Sequence, residues 1–273
     1  MRFGLIGRTD DPKALEVIKQ IMVQLKSQGH DIFIDKHVAD ILGLKGVEMG
    51  KEKVDIMVVV GGDGTLLRVA HMMVDRGVNV PLLGVKYGHV GFLCELRPEE
   101  FWQYIPRLGA RGYNLERRRL LKASWPNAEA YAINEVLTVP VEVGRTVHID
   151  VATKDELVYS GRCDGVIVAT SLGSTAYIAS RGGPIVDPRL DVMIIDVLNP
   201  LLWGQRVIVM PFDDNEVIIR ASKNMAVVID GEIKGYVSPG MELQVGPSNK
   251  TISFVRFEWR FYERVRKRTT TEI

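Results

Sequence analysis

Apolar and polar positions are arranged in two different manners along the chain, and the change falls before its midpoint. Phe3 to Ile6 predict a first strand, and a polar turn with Thr9, Asp10, Asp11 and Pro12 follows. Leu15, Ile18, Ile21, Met22 and Leu25 then recur at the spacing of one helix face, and Gly29 supplies the stop. Asp31 to Asp35, Val54 to Val60 and Val80 to Val85 read as further strands, with a helix from about Leu66 to Val74 between the last two. Strands alternating with helices predict a parallel sheet in an open α/β domain, whose ligands collect at the carboxyl ends of the strands. Pro98 to Leu108 read as another helix, with Phe101, Tyr104 and Ile105 on its inner face.

From about Leu120 the apolar runs become short and alternating. Tyr131 to Val139, Val147 to Ala152, Val166 to Ala169, Val192 to Val197, Arg206 to Met210, Val217 to Ala221 and Ala226 to Ile229 are separated by Gly, Pro, Asn and Asp. That spacing predicts a β-rich second domain, a sandwich or layered sheets. Thr251 to Phe257 is the last strand-like run, and Glu258 to Arg268 read as a helix returning to the first domain. The expected division is therefore 1–118, 119–253 and a returning segment 254–273, with a transition at 113–122.

At 273 residues, 46% apolar and 25% charged, the chain has the composition of a soluble globular protein with room for two cores. Thirty-five basic residues against 34 acidic give a net charge of +1, which supplies no argument for nucleic acid or a membrane surface. The two cysteines, Cys94 and Cys163, have neither metal-ligand spacing nor the number for a disulfide framework, and suit a reducing cytoplasm. The N-terminus begins at once with a strand pattern, without the plan of a signal peptide.

The densest chemistry lies in Gly61-Gly62-Asp63-Gly64-Thr65, directly after the buried-strand pattern Ile56 to Val60. Glycines there let the backbone approach a phosphate with its N–H groups turned inward, and the following helix N-terminus favours anions. The acid is out of place in a phosphate cradle. Asp63 implies either magnesium ligation or general-base chemistry, unless Asp-Gly is only a turn. Neither the dinucleotide fingerprint G-x-G-x-x-G nor a Walker A sequence occurs.

A second glycine-rich stretch, Gly84 to Leu93, follows the fourth strand, and Phe92 within it is either core or a ring for a base to stack on. Asn134-Glu135 interrupts an apolar run and sets an amide and a carboxylate among groups that cannot pair with them. Asp164-Gly165 precedes the run Val166 to Ala169, which breaks into Thr170-Ser171-Leu172-Gly173-Ser174-Thr175-Ala176-Tyr177, either a helix cap or an anion or sugar site. Asp230-Gly231 reads as a hairpin turn.

In this order, Gly61 to Thr65, Asn134-Glu135, Asp164-Gly165, Gly173 to Tyr177 and Gly183-Pro184-Ile185-Val186 resemble the NAD kinase family over nearly the whole chain. The glycine-aspartate loop alone is shared with lipid kinases and resembles that of phosphofructokinase; the Asn-Glu pair with Gly-Ser-Thr-Ala-Tyr is the specific part.

The resemblance implies a phosphofructokinase-like, Rossmann-like α/β domain and a β-rich, sandwich-like domain, with NAD held between them with help from a neighbouring subunit. It implies transfer of a phosphoryl group from ATP, another nucleoside triphosphate or polyphosphate to the 2'-hydroxyl of the adenosine ribose of NAD, giving NADP. A divalent cation, Mg2+ or another, would accompany the donor. The partners implied are NAD, the donor and further copies of the chain in a cytoplasmic homodimer or homotetramer, with no nucleic acid and no membrane.

By the same resemblance Asp63 is the base that takes the 2'-hydroxyl proton, Gly61, Gly62, Gly64 and Thr65 make room for phosphates, and Arg68 steadies their charge. Asn134 and Glu135 hold NAD, Phe92 lines the adenine pocket, and Arg162 and Asp164 reach the nicotinamide end. Ser174, Thr175, Ala176, Tyr177 and Ser180 surround the adenosine half, and Asn199 falls in a ligand-contacting loop. The chain departs from the usual motifs at Lys86 and Val90, at Ser171 and Leu172, and at Leu201-Leu202-Trp203, mainly on the donor side. Two rival readings share the loop or the pocket. A lipid kinase would need an apolar or basic docking surface, and a non-catalytic NAD(P) sensor would gain little from Asp63.

Overall fold

Ile56–Val60 is buried at every residue, as befits a strand covered on both faces by helices. It is the third strand of a computed structural model that describes residues 1–87, 91–142, 144–201, 206–213 and 215–269. Val90, Leu202 and Trp203, named above, lie outside the described residues. The chain divides into two compact units, Met1–Arg118 with Thr251–Ile273, and Arg119–Lys250.

The first unit runs β1 (Arg2–Gly7), α1 (Pro12–Ser27), β2 (Asp31–Ile34), α2 (Lys36–Leu42), β3 (Ile56–Val60), α3 (Asp63–Asp75), β4 (Leu82–Val85) and α4 (Pro98–Gly109). The strands pair in parallel in the order β2-β1-β3-β4. Helix α1 starts where Asp11 accepts the N–H of Lys13 at 2.9 Å with Pro12 in the first turn. It buries Ala14, Ile18, Ile21 and Leu25 against the sheet. Helix α2 was not expected from the pattern, because in seven residues it buries only Val38 and Ala39; Asp35 caps its start and Gly43, at φ +67°, its end. Helix α3 begins at Asp63 rather than near Leu66, so the acid of the glycine loop is the first helical residue.

The second unit begins inside β5 (Asn114–Trp125) and continues through β6 (Ala128–Ala132), β7 (Glu135–Pro140), β8 (Val147–Ala152), β9 (Leu157–Cys163) and β10 (Gly165–Thr170). A 3-10 turn at Leu172–Thr175 and the single turn α5 (Tyr177–Ser180) lead to β11 (Val192–Leu198). There follow β12 (Ile208–Pro211), β13 (Val217–Ala221), β14 (Met225–Ile229), β15 (Glu232–Val237) and β16 (Glu242–Arg256); from Thr251 on the chain belongs to the first unit again, and its last described element is α6 (Phe261–Thr269).

Six strands form an antiparallel sheet in the order β12-β11-β10-β7-β14-β15. A second antiparallel set joins the first half of β16 to β13, β8 and β9. The two layers share one core, in which Val166, Val168 and Met193 of the first meet Ile149, Val151 and Ile219 of the second. This is the layered, sandwich-like arrangement that the alternation predicts. The run Tyr131 to Val139 is not one strand: it breaks between Ala132 and Glu135, for a reason that belongs to the site. No helix among the described residues is long and apolar enough to cross a membrane.

Candidate active site

Strand β3 is followed by Gly61, whose φ of +156° an L side chain rarely adopts, and a Cβ there would stand 2.7 Å from that of Thr65. The glycine therefore allows helix α3 to start immediately, with Gly62 as its N-cap and buried Thr65 in its first turn. Gly64 is exposed with open space where a Cβ would stand, and Arg68 is exposed one turn further on. Asp63 at the first helical position lies where the helix's partial positive charge favours a carboxylate.

Its two oxygens are fixed by main chain. Phe92 N–H donates to Oδ2 at 2.7 Å and Cys94 N–H to Oδ1 at 3.1 Å. The approach is close enough that a Cβ on Gly91 would stand 2.1 Å from either carboxylate oxygen. Residues 91–94, at the end of the second glycine stretch, are thus a strap that seats the carboxylate of the first. Each oxygen accepts one N–H here, and each carries two lone pairs, so the carboxylate keeps acceptor capacity for a hydroxyl proton. The Cys94 thiol donates towards Gly61 O at 3.5 Å; burial, and then the charge of Asp63, raise its pKa, which keeps it a thiol. Phe92 is itself buried, its ring 6.1 Å from that of Phe261 with the Arg268 guanidinium over it.

In the β unit, the break at Asn134-Glu135 is held by a residue that the sequence marked only as a turn. Asp230, in the two-residue hairpin between β14 and β15, accepts the N–H groups of Ile133 at 2.7 Å and of Asn134 and Glu135 at 2.8 Å. Three N–H groups on one carboxylate explain why the apolar run cannot continue as a ladder. Glu135 is buried, and its Oε2 has no hydrogen-bond partner among the described residues. Burial, and after it the charge of Asp230, push the Glu135 carboxyl up to about 8, against a smaller opposing effect of the Tyr177 N–H.

The Tyr177 N–H joins the Asn-Glu pair to the hydroxyl-rich segment, and so does Gly173, where a Cβ would stand 2.2 Å from Asn134 O. Ser174 is wholly buried, its hydroxyl between the carbonyl and the N–H of Val186; the Thr175 hydroxyl donates to Leu172 O. Ala176 is half-buried, whereas Tyr177 and Ser180 are exposed.

Asp164 and Asn199, 35 residues apart, meet through Asn199 Nδ2 at 2.9 Å. Arg181, which the sequence did not single out, continues this chain to Asn199 Oδ1 at 3.1 Å and to buried Asp196 at 3.0 Å. The Arg162 side chain is exposed on β9. Among the described residues no three His, Cys, Asp or Glu side chains converge to hold a metal ion.

A parallel α/β unit with a seated carboxylate in its glycine turn, next in sequence to an antiparallel β unit with an Asn-Glu pair whose carboxyl group is buried, is the plan of a two-domain nucleotide-handling kinase. Residues 3–113 match the model of the ATP-NAD kinase N-terminal domain and residues 133–257 that of the ATP-NAD kinase C-terminal domain. The chain belongs to the NAD kinase family. It is 33% identical to the NAD kinase of Thermococcus kodakarensis over 270 residues, covering 96% of each chain. It is also 33% identical to that of Methanothermobacter thermautotrophicus over 276 residues, covering 98% of this chain and 96% of the relative. Among solved structures, an NAD kinase from Archaeoglobus fulgidus in complex with ATP superposes with a TM-score of 0.80 at 26% identity, covering 99% of this chain and 100% of that one. Yeast NADH kinase complexed with NADH has the same fold, with a TM-score of 0.86 at 19% identity over 100% of this chain and 89% of that one.

Proposed function

We infer that this chain is an NAD kinase, which moves a phosphoryl group from ATP to the 2'-hydroxyl of the adenosine ribose of NAD and releases NADP. The observation that carries the chemistry is the Asp63 carboxylate, held by two main-chain N–H groups rather than by a side-chain cation. A carboxylate so fixed is oriented without being neutralised, as a general base for a hydroxyl proton must be. The glycines beside it leave the donor's phosphates close access to backbone N–H groups, and Arg68 adds a cation about one turn further along the helix. Phosphoryl transfer asks little more of a protein than placement and charge.

Mg2+ is the divalent ion that suits this site. It is commonly held by one or two carboxylates together with substrate phosphates, which fits a chain whose described residues form no metal cage. The ion would neutralise charge on the transferring phosphate.

Asn134 and Glu135 are the residues we assign to NAD. A ribose diol would supply the partner that Glu135 Oε2 lacks among the described residues, and Asp230 fixes the main chain on which both side chains stand. Phe92 is assigned to the adenine pocket, Ser174, Thr175, Ala176, Tyr177 and Ser180 to the surroundings of the adenosine half, and Asn199 to the same ligand. Arg162 and Asp164 are assigned to the nicotinamide end of NAD on a neighbouring subunit, in a homodimer or homotetramer of the cytoplasm.

The test is NADP formation by purified protein given NAD and Mg2+, with ATP and polyphosphate in separate reactions. NADP with ATP is expected. NADP with polyphosphate alone would reassign the donor, and none with either donor, alongside measurable NAD binding, would make the chain a sensor.

A further inference from the structure

The strap that seats Asp63 is gripped from its carbonyls as well as used through its amides. Arg264 Nη1 donates to Phe92 O at 2.9 Å and Arg256 Nη1 to Leu93 O at 2.7 Å. These are the two peptide carbonyls between the N–H of Phe92 and that of Cys94, the donors to the carboxylate. Both arginines are anchored on one acid: Glu95 Oε2 accepts from Arg256 at 3.1 Å and from Arg264 at 2.7 Å, while Oε1 accepts the Phe257 N–H at 2.9 Å. Glu116 pairs with Arg256 from its other side. All four side chains are buried, with 2 to 8% of their surface exposed.

As a device for stability such a cluster is poor. Taking four charges out of water costs about what their attraction returns, and apolar side chains of equal volume commonly do as well. What apolar side chains cannot do is hold a carbonyl in a fixed direction. Arg264 also comes from α6, 172 residues after the carbonyl that it holds, so the grip is no by-product of local chain geometry.

We propose that Arg264, together with Arg256, is a positioning residue for phosphoryl transfer: Arg256 holds the peptide unit that carries the Cys94 N–H, Arg264 holds the unit that links it to Phe92, and the two thereby fix the strap whose amides aim the Asp63 carboxylate. The inference rests on Asp63 being the base. Arg264 acts only through the strap and needs no contact with substrate. A displacement of about 1 Å at the base is enough to cost on the order of a hundredfold in rate.

The test uses Arg264→Lys and Arg264→Met, each alone and combined with Asp63→Asn, with kcat, KM for NAD, thermal unfolding and amide hydrogen exchange measured for each. Arg264→Met is expected to lower kcat by roughly ten- to a hundredfold with KM for NAD within about twofold. The amides of Phe92 and Cys94 should exchange faster. Arg264→Lys keeps a charge beside Glu95 without the guanidinium fork, so it should fold and fall between the wild type and Arg264→Met; it carries the test alone if the methionine variant does not fold. In the Asp63→Asn background neither change should lower kcat further. An unchanged kcat in a folded Arg264 variant would overturn the proposal, and so would a loss as large on top of Asp63→Asn as without it. Near-normal turnover by Asp63→Asn alone would overturn the base assignment instead, and the exchange of the two amides would still report whether Arg264 holds the strap.

Discussion

Asp230 accepts the backbone N–H of Glu135 at 2.8 Å across 95 residues of chain. One carboxylate thereby fixes the main chain of the Asn-Glu break and sets a negative charge beside a second, buried carboxyl group. The pairing makes the break in the apolar run a built feature, and it leads to a pH dependence.

The Glu135 carboxyl, ordinarily near 4.5, is pushed to about 8 by burial first and by Asp230 second. The folded protein thus prefers the protonated form that the unfolded chain loses near pH 4.5. This group's contribution to stability is fully present below about pH 4.5 and is lost as pH rises to about 8, a change of a few kcal/mol at most. Glu135→Gln copies the neutral form. Its unfolding midpoint in the absence of ligand should gain on the wild type between pH 5 and pH 8, as unfolding curves of the two proteins at both pH values would reveal.

Replacing Asp230 separates its two effects. Asp230→Ala leaves three main-chain N–H groups without their acceptor and should cost roughly 2–4 kcal/mol of stability. NAD binding, read by calorimetry, should weaken with it. Asp230→Asn keeps one acceptor and removes the charge, so the Glu135 midpoint should fall below about 8, visible by carboxyl NMR titration. An unmoved midpoint would leave burial as the whole cause.

Gly91→Ala places a methyl group where the Asp63 oxygens now stand, 2.1 Å from an ideal Cβ. The carboxylate must turn away from the strap. Turnover should fall by about a hundredfold, while stability changes by less than about 2 kcal/mol, because Gly91 is only half-buried. Steady-state kinetics beside urea unfolding would separate the two.

The parts of this molecule that could be read from its sequence are those where local pattern decides the structure. Ile56 to Val60 followed by Gly61-Gly62-Asp63-Gly64 announces a buried strand, a glycine turn and an acid out of place, and β3, the turn and α3 follow. The short alternating runs announce the two antiparallel layers. Long-range partners were not legible. Nothing in Asp230-Gly231 distinguishes a plain hairpin from one whose acid reaches back to Ile133, because the contact exists only once β14 lies beside β7. Phe92 in the glycine-rich stretch offered a ring, while the structure uses its amide for Asp63 and its carbonyl for Arg264. Main-chain roles of this kind leave no mark on residue identity. Arg181 and Arg264 likewise read as ordinary charged residues until the fold brings Asn199 and Phe92 to them.

The most direct measurement of the central claim compares Asp63→Asn with the wild type, by NAD binding and by NADP formation with ATP and Mg2+ in the same preparation. The amide keeps the shape of the side chain and removes its basicity. NAD affinity should remain within a few fold, and turnover should fall by roughly a hundred- to ten-thousandfold, the range of general-base catalysis. Near-normal turnover in a variant that binds NAD would contradict the account.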